Sequence, residues 1–213
     1  MNSIELHIFT NTTINAPSTT MIESTYKSFC KVFGDSLKPK IWCDVNPYTE
    51  KARAYMRNLN NVFGNFVPTK SLSDGYIKAV QGSDAEFMFM LEHDWLFNNN
   101  ITHSLKEIIS VMKHEDILHL RFNKRCTQPI HSDEWLKEKS FNNFYYCETP
   151  SISNNPHIIN RNKYVEDALP LIELRKGSLG IEHKLNKSNL NGTIYGPLDF
   201  HPTIAHLDGR IKK

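Results

Sequence analysis

The polar and apolar positions of the first half alternate between two periods. Ile4-Glu5-Leu6-His7-Ile8-Phe9 switches residue by residue between apolar and polar, then breaks into Thr10-Asn11-Thr12-Thr13, which predicts a strand ending in a polar loop. Thr20 and Glu23 have capping-box spacing, and Ile22, Tyr26, Phe29 and Phe33 follow at helical intervals up to Gly34. A short apolar run, Ile41-Trp42-Cys43, leads into Asp44-Val45-Asn46-Pro47 and predicts a second strand. Thr49 then caps a helix with Ala52, Met56 and Leu59 on one face. Past Pro68, Ser73 and Asp74 are set to cap a short helix carrying Ile77 and Val80 and closed by Gly82.

The most apolar segment comes next. Ala85-Glu86-Phe87-Met88-Phe89-Met90-Leu91 has the composition of a central strand covered on both faces, and it runs directly into Glu92-His93-Asp94-Trp95. Thr102 starts another predicted helix, with Leu105, Ile108, Ile109 and Met112 inward, and Ile117 to Phe122 reads as a further strand. From Asn123 the pattern loosens into short amphipathic pieces. A turn-rich stretch spans Ser151 to Pro156, and a helix beginning near Asn162 is interrupted by Pro170. Strands alternating with helices, then irregular structure, predict an α/β fold: an open, mostly parallel central sheet flanked by helices, with an appended binding region.

At 213 residues the chain suits one sizeable domain, and it shows no internal repeat or low-complexity tract. Net charge is +2 with basic residues scattered, so no nucleic-acid footprint is expected and a small ligand is the better partner. Cys30, Cys43, Cys126 and Cys147 form no CxxC pair or disulfide framework, which points to reduced thiols in a cytoplasmic setting. No apolar window reaches membrane-spanning length, so membrane contact is expected to be peripheral only.

In open α/β sheets ligands gather beyond the carboxyl ends of the strands, where Glu92 and Asp94 fall. Two apart in an extended segment, their side chains point the same way and make a hard-oxygen site for Mg²⁺ or Mn²⁺, which in turn can hold a diphosphate. A polar strand end with solvated charges is the plainer reading. Thr10, Asn11 and Asp44 end strands where they can bond a uracil or ribose, although such residues end many strands. Ser73 and Asp74 can contact ribose or phosphate at a helix N-terminus, or can simply cap it. Lys78 and Arg53 are candidates for offsetting diphosphate charge. Of the tryptophans, Trp42 reads as core, while Trp95 beside the acidic pair is a candidate to stack on a sugar.

The segment Phe87 to Trp95 resembles the strand and DXD-type motif of glycosyltransferases of the GT-A fold, with Glu92 in place of the first Asp. His7 to Thr12 resembles that fold's nucleotide-binding first strand. Gly177-Ser178-Leu179-Gly180-Ile181-Glu182-His183 resembles its acceptor-side loop that supplies a base, and His201 to Arg210 resembles the late segment that lends a histidine to the metal. More closely, the chain is similar to the amino-terminal glycosyltransferase domain of a large multidomain protein of chlorella viruses.

This resemblance implies a single GT-A-type domain over 1–213, with a nucleotide-sugar-binding part to about residue 122 and an acceptor and metal-completing part from about 123. It implies a monomeric domain of a longer chain, at work in the cytoplasm of an infected host cell on a glycan acceptor of a capsid glycoprotein. The donor would be a UDP-sugar of glucose or rhamnose type. Asp94 would be the principal metal ligand and His206 a late one. Glu92 would bind the metal directly, act through water, or hold the ribose, and His93 would face away. Glu182 is the candidate base for an inverting transfer, although a first-turn Glu also suits the helix dipole. Asp208 is the runner-up base, although Asp208-Gly209 is also an ordinary turn. Two other readings stay open: a metal-dependent phosphoesterase or nucleotidyltransferase, and a nucleotide- or carbohydrate-binding module without turnover.

Overall fold

The computed structural model describes residues 4–12, 17–130, 134–174 and 180–207. The first four strands are β1 (Ile4–Asn11), β2 (Pro39–Asp44), β3 (Val67–Thr69) and β4 (Phe87–Glu92), and they pair in parallel in the order β3-β2-β1-β4. Helices α1 (Thr20–Phe33), α2 (Glu50–Phe63) and α3 (Leu72–Gln81) make the crossovers between them. A ribbon strand β5 (Trp95–Phe97) and helix α4 (Leu105–His114) then lead to β6 (His119–Arg121).

Past Asn123 the chain is more regular than its periodicity predicts. Strands β7 (Lys137–Phe141), β8 (Phe144–Thr149), β9 (His157–Asn160) and β10 (Gly192–Tyr195) all join the same sheet, whose order is β3-β2-β1-β4-β9-β6-β10-β8-β7. Only β8 and β9 run against the other strands of this nine-stranded sheet, so the expected mostly parallel α/β architecture holds. The β7–β8 hairpin turns on Asn142 and Asn143, both with positive φ (49° and 67°), the conformation that two-residue hairpins require. A last strand, β11 (Ile204–His206), pairs antiparallel with β5 apart from the main sheet. The helical turn α5 (Arg161–Lys163) continues into wider turns and then a tighter one over Leu169–Leu171 that contains Pro170, and α6 (Glu182–Leu185) is one short turn.

Helix ends refine the expectations. Thr49 caps α2 as predicted, accepting from Ala52 N at 3.1 Å. Thr19, one residue before the predicted cap, hydrogen-bonds Glu23 at 2.5 Å. Helix α4 starts at Leu105 rather than Thr102, because Ser104 and Glu107 complete a reciprocal capping box. Among the described residues, no helix is long and apolar enough to cross a membrane.

Strand alternation divides the core into two layers. Leu6, Ile8, Phe87, Phe89 and Leu91 pack beneath α1, α2 and α4, where Phe29, Phe33, Phe89, Phe97 and Phe122 form a connected group of rings 5.1–5.9 Å apart. Phe9, Met88, Met90 and Ile159 face α3 and the 164–185 region on the other side. Both faces of β4 are therefore dry, which is why its sequence is continuous in apolar residues instead of alternating. Gly192, at the start of β10, lies so near the neighbouring segment that a Cβ there would meet Ser151 O at 2.2 Å.

Candidate functional site

The carboxyl ends of β1, β2, β3 and β4 stop at the same edge of the sheet, because parallel pairing places Asn11 beside Asp44 and Asp44 beside Thr69, with Glu92 next to Phe9. Above this edge lies a cavity of about 530 Å³. Thr10, Asn11, Asp44, Glu92, Asp94, Glu182 and His206 all line it, so side chains scattered over nearly 200 positions of sequence meet in one place.

Asp94 and His206 are joined by the small ribbon. β4 ends at Glu92, the chain turns through His93 and Asp94, and β5 begins at Trp95 opposite His206. Leu207 N donates to Asp94 O at 2.7 Å and locks that register. His206 Nε2 consequently sits 3.3 Å from Asp94 Oδ2, and its ring meets the edge of Trp95 with centroids 4.5 Å apart. Asp94 is only 8% exposed, and its Oδ1 is buried without a hydrogen-bond partner. A buried carboxylate oxygen left alone is costly unless something positive or hydrogen-bearing completes it.

His93 stands between the carboxylates in sequence, but its Nδ1 lies 3.2 Å from Phe9 O, and its backbone N–H donates to the same carbonyl. Thr25 Oγ1 donates to His93 O at 2.6 Å, pinning the turn to α1. The ring is thus tied to β1 through Nδ1, while the residue also lines the cavity.

Charge is concentrated here. Burial, and then the charges of Asp94 and Glu182, push the Glu92 carboxyl up to about 8. A cation bound among these groups would favour their ionised forms. Among the described residues no three His, Cys, Asp or Glu side chains converge into a metal cage. Glu92 lines the same cavity as the Asp94–His206 pair. That pair, with the lone Asp94 Oδ1, fits Mg²⁺ or Mn²⁺ bound in the manner usual for phosphate substrates, through one or two protein ligands plus phosphate oxygens and water.

Glu182 opens α6, and its Oε1 accepts hydrogen bonds from Ser153 Oγ (2.8 Å) and Asn154 N (2.5 Å). It braces the 151–155 segment while lining the cavity. Thr10 Oγ1 is 2.5 Å from Tyr55 Oη on α2. Asp208, and the Gly177 to Leu179 part of the acceptor-side motif, lie outside the described residues.

Ser73 and Asp74 do not line the cavity. Ser71, not Ser73 or Asp74, caps α3, accepting from Asp74 N at 3.1 Å. The Asp74 carboxylate accepts from Lys70 N and from Lys78 Nζ, both at 2.8 Å, so its oxygens serve the helix end. The same contact occupies Lys78, and Arg53 is paired with Glu50 and Pro47 O. Neither cation reaches the cavity. The lysine that does is Lys124, whose Nζ lies 5.5 Å from the centre of the Trp95 ring. Thr69, Leu72, Asn154 and Asn155 are further lining residues that sequence reasoning missed. They come from loops and element ends, where periodicity carries no signal. Trp42 is core as expected, donating from Nε1 to His7 Nδ1 at 2.9 Å, yet it also walls the cavity.

No protein-family profile and no curated protein sequence matches the chain. Solved structures do. Residues 1–349 of TarS from S. aureus superpose with a TM-score of 0.57 at 11% identity over 94% of this chain and 59% of that one. The same protein in complex with UDP-GlcNAc gives 0.55 at 11% identity, covering 96% and 61%. GalNAc-T7 with UDP, GalNAc and Mn²⁺ gives 0.57 at 10% identity, covering 94% and 45%. The chain thus spans about three fifths of the TarS segment it matches. At such identities the likeness is one of architecture, and the architecture it establishes is the mixed, mostly parallel α/β sheet of the GT-A fold.

Proposed function

We propose that this chain is a glycosyltransferase that moves a hexose from a UDP-sugar to a glycan acceptor with a Mn²⁺ or Mg²⁺ ion held at Asp94 and His206. The observation that carries the reading is the Asp94–His206 pair, with its unpartnered buried oxygen, at the strand-end cavity of a GT-A fold. Two structural neighbours were solved with UDP-GlcNAc and with UDP, GalNAc and Mn²⁺, which supports the donor class and the ion. When bound, the ion supplies Lewis-acid neutralisation of charge on the departing diphosphate. Thr10, Asn11 and Asp44 hold the nucleoside, and Lys124, over the Trp95 ring, adds positive charge. Glu182 takes the proton of the acceptor hydroxyl as that oxygen bonds to the sugar carbon on the face opposite the diphosphate. The carbon–oxygen bond to the departing UDP breaks, which inverts the carbon. Residues to about 122 carry the nucleotide side, and those beyond supply the acceptor side and His206. By sequence resemblance, we assign the sugar to the glucose or rhamnose type, the acceptor to a capsid glycan, and the setting to the cytoplasm of an infected cell.

A second reading has one observation in its favour. Because two hydrogen bonds already engage Glu182 Oε1, the chain could bind a nucleotide sugar and leave it intact. Calorimetry with UDP, with and without Mn²⁺, followed by release of sugar from a UDP-hexose, separates the two. The transferase reading expects Mn²⁺-dependent binding that Asp94→Ala abolishes without lowering the melting temperature, together with sugar release. Binding without release favours the binding module; no UDP binding in either condition removes both readings.

A further inference from the structure

A second cavity, of about 340 Å³, adjoins the first across Lys124, Asn155 and Glu182, which line both. The two compartments differ in charge. The first is walled by Asp44, Glu92, Asp94 and Glu182, with Lys124 as its lysine. In the second, Arg121, Lys124 and Arg125 share the lining with Glu182 as its carboxylate.

The basic compartment is built from the strand end outward. Arg121 is the last residue of β6, is 3% exposed, and donates from Nη1 to Ser151 Oγ at 3.1 Å, so its guanidinium is fixed in the wall. Lys124 and Arg125 follow on the exposed loop beyond it. Opposite, Asn186 Oδ1 accepts from Ile152 N at 2.6 Å, which ties α6 to the 151–155 segment. Asn154 of that segment, 5% exposed and with Nδ2 buried without an acceptor, belongs to the lining of the first cavity, whereas Ser151, Ile152, Ser153 and Asn155 face the second. Three cations facing one carboxylate repel each other, and a ligand that brings negative charge relieves that repulsion. Guanidinium forks match carboxylate and phosphate oxygens in particular, because their donors are planar and paired. A neutral hexose offers no such match.

We propose that this second compartment is the acceptor subsite and that it takes a saccharide bearing a carboxylate or phosphate group. The assignment rests on the transferase reading, since Glu182 joins the two compartments and stands where an acceptor hydroxyl would meet the donor. The anionic group sits between Arg121 and Arg125. The sugar ring then lies toward Glu182 and Asn155, which line both compartments.

The test is calorimetry on the full chain with D-glucuronate, glucose 6-phosphate and glucose, each with EDTA and each with UDP and Mn²⁺ present. The two anionic sugars distinguish carboxylate from phosphate as the recognised group. At least one of them should bind without metal and together with UDP–Mn²⁺, while glucose binds at least about tenfold more weakly. Arg125→Glu, an exposed position, should weaken that anionic sugar by about tenfold or more, the scale of one charge-assisted hydrogen bond lost. Arg121→Lys, checked by melting temperature, should weaken it as well, because an ammonium cannot reproduce the fork. Equal binding of glucose overturns the proposal. So does anion binding that UDP–Mn²⁺ displaces and Arg125→Glu leaves unchanged, which would place the anion in the acidic compartment. No anion binding beside intact UDP–Mn²⁺ binding also overturns it while sparing the transferase reading. Anion binding that responds to Arg125 in a chain that ignores UDP sinks the donor site instead, and with it the acceptor role.

Discussion

Replacing Glu182 separates its two possible contributions. Its Oε1 accepts from Ser153 Oγ and Asn154 N, and Asn154 is buried, so removal leaves a backbone N–H without its partner. An unmade buried hydrogen bond costs roughly 1–3 kcal/mol, and the adjoining cavity admits water that softens the loss. Glu182→Ala should therefore lower stability by about 1–2 kcal/mol. Glu182→Gln keeps an oxygen in the same place, and a neutral acceptor is about half as strong as an ionised one, which leaves a loss near ~1 kcal/mol. Transfer activity should behave differently. Gln cannot accept the acceptor's proton, so turnover should drop by roughly 10²- to 10⁴-fold while UDP binding is kept. Urea denaturation and UDP release from a UDP-hexose with a saccharide acceptor measure the two effects. Full turnover in the Gln variant would move the base elsewhere, with Asp208 next in line. Activity lost by both variants only in proportion to their stability would reduce Glu182 to a brace.

Further outcomes follow from other parts of the structure. His206→Gln should weaken Mn²⁺-dependent UDP binding by about tenfold or more, as loss of a metal-site residue does, and leave metal-free behaviour unchanged; titration with Mn²⁺ checks this. Burial pushes the His7 imidazole down to about 4 against the opposing pull of Glu5, whereas an unfolded histidine takes its proton near 6.5. The neutral ring thus contributes stability that is complete above pH 6.5 and is lost as pH falls toward 4, to the extent of about 3 kcal/mol. The stability gap between the wild type and His7→Gln, measured by urea unfolding, should shrink by that order over the window. A constant gap would mean that His7 is not held neutral. Gly192→Ala places a methyl against the Ser151 carbonyl and should destabilise by about 1–3 kcal/mol, unless the 149–151 backbone yields, in which case the unfolding midpoint will not move.

Much of this architecture is written locally. β1, β2 and β4 are legible because buried strands concentrate apolar residues, and Asp94 is legible because a carboxylate after such a strand has no place in a core. The β7–β8 hairpin is harder. Lys137 to Phe141 lies largely in solvent, so its polar sequence carries no two-residue alternation, and the one available signal is Asn142-Asn143, a pair tolerant of positive φ. Ser73, Asp74, Lys78 and Arg53 misled for a common reason. Each has a local partner two to six residues away, and short-range pairing at a helix end engages a polar group before any ligand does. Lys124, Asn154 and Asn155 are placed by long-range folding of loops, which no spacing along the chain encodes.

The β5–β11 ribbon makes the proposed metal pair a product of the two distant parts of the chain it stitches together. Asp94 and His206 are 112 positions apart (206 − 94), so a ribosome can have released nearly the whole sheet while the histidine is still in the exit tunnel. If the proposed function holds, nascent or prematurely stopped chains would expose a cleft without the histidine of the proposed metal pair, and sugar would be spent only by molecules synthesised past that point.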